Sequence, residues 1–107
     1  MTYYTAPAIL SQRVTIDKIR EAVCQYFQLD EDKLKSGLRQ SEYAYGRHLV
    51  RYIAYYKLKM DKSEIARKLN IDHATVINSI KRIEDKISID PDFKQDIHWV
   101  FLLSKQI

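Results

Sequence analysis

The sequence predicts an all-α domain, a compact bundle of about five to six helices containing a helix-turn-helix. Three observations lead there. The 107 residues include only two glycines and two prolines, too few for the turns that sandwiches, barrels and dinucleotide-binding sheets need. Apolar residues recur at spacings of three and four along most of the chain, the period of an amphipathic helix. Threonine or aspartate stands directly before several of those stripes, where a helix N-terminus wants a side-chain acceptor. An apolar fraction of 46% beside 30% charged residues suits a folded chain, and the length suits one domain.

Residues 1–14, with Pro7 and no sustained period, read as an arm or linker, and residues 15–107 as the domain. Thr15 offers an N-cap to a first helix whose stripe is Ile16, Ile19, Val23, Tyr26 and Phe27. Asp30 caps a short turn through Leu34, which Gly37 ends in the left-handed region. Ser41 opens a long helix to about Lys59 with an apolar face of Leu49, Val50, Ile53, Tyr56 and Met60, while Arg47 and Arg51, one turn apart, project from the opposite side. Asp61 caps a short helix through Leu69. Asn70 and Ile71 break it, since asparagine tolerates the left-handed region. Asp72 caps a helix from His73 to about Ser88 with a stripe of Val76, Ile80, Ile83 and Ile87. Asp90 and Pro91, as N-cap and first residue, start a last helix with Phe93, Ile97, Val100 and Phe101 inward.

Several chemistries are excluded. With only Gly37 and Gly46 in the chain, there is no glycine-rich phosphate loop, so no nucleotide is expected. Cys24 is the one cysteine; alone it forms neither an internal disulfide nor a four-ligand zinc site, and it points to a reducing cytoplasm. It reads as a small buried hydrophobe. His48, His73 and His98 have no carboxylate or thiolate companions at ligand spacing, so neither metal nor cofactor is expected. Carboxylates fall mainly at helix caps and on solvent faces, without a paired acid and base, so no catalytic residue is assigned and the protein is read as no enzyme. Met1 to Gln12 lacks the features of a secretory signal, and no apolar run reaches membrane-spanning length.

The charge is unevenly placed. The net formal charge is +4, yet Lys33 to Arg82 alone carries twelve basic residues against four acidic ones, a balance of +8 between flanks of −2 each. A basic centre between acidic flanks is the footprint of a surface that meets a polyanion. Within that centre, Lys62 to Ile83 reads as a helix-turn-helix. Ile65 and Leu69 point inward from its first helix, Ala66 is small where the helices cross, and Val76 and Ile80 close the junction. Opposite the buried stripe of the second helix lie Ala74, Asn78 and Lys81, with Thr75 and Arg82 at the margin. Ring nitrogens, a methyl and a hydroxyl on His73, Ala74 and Thr75 suit base edges in a major groove. Free N–H groups at the helix start suit phosphate, and Lys81 and Arg82 suit the DNA backbone.

This segment resembles the C-terminal DNA-binding domain of the bacterial replication initiator DnaA. That family has Ile-Gly or Ile-Ala, a short loop, then Asp-His-Thr/Ser-Thr-Val. Here the counterparts are Ile65-Ala66, Leu69-Asn70 and Asp72-His73-Ala74-Thr75-Val76, followed by Ile77-x-Ser79 and Arg82-Ile83. The likeness reaches back to Arg39 and covers roughly Ile16 to Phe101. It implies a Trp-repressor-like fold, double-stranded DNA as partner, and a role in replication initiation or its regulation. Asp72, His73, Ala74 and Thr75 would enter the major groove and Arg39 the minor groove, while Arg47 and Lys62 match places near phosphates. The full expected site is Arg39, Asp72, His73, Ala74, Thr75 and Asn78 on bases, with Arg47, Arg51, Lys62, Lys81 and Arg82 on phosphates.

The departures from that pattern carry expectations of their own. Ile71 stands where the family has arginine or lysine, Ala74 replaces the first hydroxyl residue, and Gly37 to Glu42 holds one cation and one acid. A changed or relaxed site preference follows. The ATP-binding motor of full initiators is missing, so a free-standing module is expected, with a phage or mobile-element regulator as the alternative. Trp99 to Leu103 is apolar all round; it is read as wedged into the core, the other reading being a surface for a protein partner or self-association. Tyr43, Tyr45, Tyr52, Tyr55 and Tyr56 beside Arg47 and Arg51 are read as core-edge residues, and stacking on single strands is the other use open to them.

Overall fold

Among the described residues six helices form: α1 (Ile16–Phe27), α2 (Glu31–Ser36), α3 (Ser41–Tyr56), α4 (Lys62–Leu69), α5 (His73–Ile89) and α6 (Phe93–Ser104). The computed structural model describes residues 14–107, and among these there is no strand. The expected N-terminal arm lies, except for Val14, outside the described residues.

Three expected caps form as hydrogen bonds. The Lys18 N–H donates to Thr15 Oγ1 at 3.3 Å, the Lys33 N–H to Asp30 Oδ1 at 3.0 Å, and the Glu64 N–H to Asp61 Oδ1 at 2.8 Å. Three helices end alike. Gln28, Gly37 and Asn70 adopt left-handed backbone, and the next N–H reaches back five residues, Leu29 to Cys24 O, Leu38 to Lys33 O and Ile71 to Ala66 O. These Schellman turns satisfy carbonyls the helices would otherwise leave bare.

α3 is the hub, since it alone packs against all five other helices. Leu49, Val50, Ile53 and Ala54 are buried on it, as is Tyr52. α1 lies across α3 and α6, while α5 lies against α3 and α4. Gly46 lets α2 approach: a Cβ there would stand 2.9 Å from Leu34 Cδ1 and 3.1 Å from Leu29 Cδ1. Cys24 is buried with Leu34 and Tyr43, and burial pushes its thiol pKa up.

Several expected details change. α3 stops at Tyr56, and the chain turns through Lys59 at φ 59°. Tyr56 is 49% exposed rather than in the core; its ring stacks on Tyr52, which takes the buried place. Tyr26 and Phe27 sit at the margin of the α1 stripe and are exposed, and the Tyr26 hydroxyl donates to Asp96 Oδ1 at 2.7 Å, tying α1 to α6. α6 begins at Phe93 with Asp92 at the cap position, because Phe93, Lys94 and Gln95 donate to the carbonyls three residues back. That tight entry displaces Asp90 from the cap and Pro91 from the first helical place.

Replacing Ile53, fully buried at the centre of α3, with alanine should lower unfolding stability by ~2–5 kcal/mol in urea titrations. Ile77→Ala, at a side chain 44% exposed, should cost under ~1 kcal/mol; equal losses would contradict this core.

Candidate nucleic-acid interface

α4 and α5 are joined by Asn70, Ile71 and Asp72 only. Asn70 at φ 56°, ψ 50° reverses the chain, and Ile65, Ala66, Val76 and Ile80 close the angle between the helices as buried side chains. Asp72 stands at the N-cap of α5 without a side-chain cap bond. Its backbone carbonyl takes the N–H groups of Thr75 and Val76 at 3.0 and 3.3 Å, and the residue is exposed.

From that start α5 is two-faced. Val76, Ser79, Ile80 and Ile83 are buried, while His73, Ala74, Ile77, Asn78, Lys81 and Arg82 are exposed and Thr75 is half-buried. Asp72, His73, Ala74, Thr75 and Asn78 therefore share one projecting end. Ile77, assigned from sequence neither to the core stripe nor to the outer face, belongs to this face by its spacing of four from His73 and Lys81. Lys81 Nζ lies 3.6 Å from Asp85 Oδ2, both exposed, a screened pair worth at most about 1 kcal/mol. Lys62, half-buried, holds its ammonium 5.6 Å from the centre of the Tyr55 ring. Arg39 is exposed in the connection from α2 to α3.

Arg47 and Arg51 depart from expectation. They do not project from a free side of α3, because neighbouring helices surround it. Arg47 is half-buried, and its guanidinium donates to Leu34 O at 3.2 Å and Leu38 O at 2.7 Å. It thus straps down the loop that carries Arg39. Arg51, also half-buried, donates to Ser79 Oγ at 2.9 Å. Burial lowers both pKa values, and Arg47 lowers that of Arg51 further.

Sequence reasoning missed what Arg51 belongs to. Ser79 is fully buried on α5, and its hydroxyl also meets His48 Nδ1 at 2.8 Å. Burial first, then the charges of Arg51, Arg82 and Arg47, push the His48 pKa down to about 4. The ring is therefore neutral near pH 7. One signal was available, a serine three residues after Val76 and four before Ile83, inside the buried stripe. The apolar run at Trp99 to Leu103 divides: Val100 is buried, Phe101 to Leu103 are partly covered, and Trp99 is 54% exposed. Among the described residues no helix is long and apolar enough to cross a membrane.

Comparison with known proteins identifies the same region. The family model of the bacterial DnaA protein helix-turn-helix matches residues 16–83. The chromosomal replication initiator protein DnaA of Bacteroides thetaiotaomicron is 28% identical over 97 residues, covering 90% of this chain and 21% of its own length. The same-named protein of Citrifermentans bemidjiense is 32% identical over 85 residues, 78% of this chain and 19% of its own. That of Thermoanaerobacter sp. is 30% identical over 97 residues, 91% and 20% respectively. The chain thus spans about a fifth of the length of these relatives.

The His48 environment predicts a pH dependence. Between its value of about 4 in the fold and the ordinary 6.5, the unfolded chain takes up a proton here that the folded chain does not. Stability from this group is therefore complete above pH 6.5 and declines as pH falls toward 4. In urea titrations at pH 7 and pH 5, the wild type should lose more stability than His48→Gln; parallel losses would remove His48 from the account.

Proposed function

The chain belongs to the bacterial DnaA helix-turn-helix family, and on that premise we propose that it binds double-stranded DNA with a sequence preference, without catalysing a reaction. The observation that carries this is the first turn of α5, exposed from Asp72 to Ala74 and followed on the same helix by the exposed cations Lys81 and Arg82. An α-helix entering end-on fits the major groove. In this reading Asp72, His73, Ala74, Thr75 and Asn78 meet base edges. The methyl of Ala74 and the side chain of Ile77 suit thymine methyl groups, and Arg39 reaches the neighbouring minor groove.

Lys62, Lys81 and Arg82 neutralise phosphates along the duplex. Arg47 holds the Arg39 loop and Arg51 holds α5, so both brace the interface besides adding positive charge. Residues 15–107 form the DNA-binding unit. The process served is replication initiation or its regulation, in the nucleoid region of the cytoplasm. A protein partner on α6 would meet chiefly Trp99, the exposed member of that apolar run.

Fluorescence anisotropy on labelled duplexes across a salt series tests the reading. The logarithm of wild-type affinity should fall linearly with the logarithm of salt concentration, and Lys81→Gln should flatten that slope by about 0.9. Undetectable or salt-independent binding would overturn the proposal. Thr75→Val keeps the shape but loses the hydroxyl; against a panel of single-base variants it should change preference at one position by ~1–3 kcal/mol. Equal weakening on every duplex would move Thr75 from base to backbone.

A further inference from the structure

A cleft of about 210 Å³ opens between α1, α2, the middle of α3 and the turn of the helix-turn-helix, and four cations line it: Arg20, Lys35, Arg47 and Arg51, with Leu69 and Ile71 at the turn side. No carboxylate is among its lining residues. Half-buried arginines are costly unless something neutralises them, and the partners present do so incompletely. Arg20 reaches the exposed Asp17 through Nη2 at 2.9 Å, but its Nε is buried with no hydrogen-bond partner. Lys35 pairs with Glu31 at 3.3 Å, on the surface of α2. Arg47 and Arg51 are bonded to carbonyl oxygens and a hydroxyl, which satisfy geometry without cancelling charge. A guanidinium has five N–H donors, so Arg47 and Arg51 keep donors beyond those bonds.

We propose that this cleft binds a phosphoryl group, presented either by a phosphodiester of a DNA backbone or by a small free phosphate compound. Forked guanidinium donors match phosphate oxygens. The space is that of about seven waters in the liquid, more than a simple ion fills, and its apolar turn side suits the sugar or linker that a phosphate ester carries. Ile71 places the bound group against the turn that aims α5, so occupancy and the pose of the recognition helix are joined. The cleft is defined by its own residues and stands or falls apart from DNA binding.

The test uses the full chain and sodium pyrophosphate as probe, titrated at constant ionic strength against sodium chloride. Proton–nitrogen spectra are followed at the arginine Nε–H groups and the Ile71 amide. The expected result is saturable shifts at Arg20, Arg51 and Ile71, with affinity at least tenfold weaker in an Arg20→Gln, Lys35→Gln double variant whose urea midpoint matches wild type. No saturable shift in the wild type, or equal binding by the folded double variant, overturns the site; the wild-type spectra decide even if the variant fails to fold. Adding duplex DNA separates the sources. Displacement of pyrophosphate assigns the cleft to a backbone phosphate, and simultaneous binding assigns it to a free compound. A chain that takes pyrophosphate but no duplex keeps the cleft and loses the DNA reading; the reverse loses only the cleft.

Discussion

One buried hydroxyl fixes how α5 is rotated. Apolar contacts are non-directional, so a helix held by Val76, Ile80 and Ile83 alone could turn slightly about its axis at little cost. Hydrogen bonds are directional and short-ranged. Ser79 Oγ lies 2.8 Å from His48 Nδ1 and 2.9 Å from Arg51 Nη1, and both partners sit one turn apart on the hub helix. With Ser79 drawn inward, helix geometry sends Asn78, Lys81 and Arg82 outward. The outward set is therefore a consequence of an inward polar contact.

The contact also ties the protonation of His48 to packing. A neutral imidazole can accept the serine proton or donate to its oxygen, whereas an imidazolium can only donate and would stand beside Arg51, Arg82 and Arg47. α3 thus carries two polar anchors in one stretch, Arg47 to the loop of Arg39 and His48 with Arg51 to α5. Elements expected to approach DNA from two directions are braced by the same helix.

Much of the fold was legible because its signals are local. Thr15, Asp30 and Asp61 act as caps through bonds three residues away, and Asn70 and Gly37 end helices by backbone preference. The likeness of Ile65 to Ile83 to a known motif was equally readable. What was hidden depends on tertiary surroundings. Arg47 and Arg51 were assigned an exposed side, but a helix contacted by five others has little free surface. Tyr26, Phe27 and Tyr56 sit at stripe edges, where an aromatic ring with a wet rim reads like a core residue. Ser79 takes its role from His48 and Arg51, about thirty residues away in the chain, which no local pattern announces. Asp90 and Pro91 gave the usual starting signal, and a tighter turn took their place.

α4 lies between two non-glycine residues in left-handed backbone, Lys59 at φ 59° and Asn70 at φ 56°. That conformation costs a lysine about 1–2 kcal/mol and an asparagine less. Neither end of this eight-residue helix can therefore slide by a register step without surrendering a reversal that the surroundings enforce. The segment behaves as a gauge of set length, holding the chain's re-entry point at a constant reach from the hub.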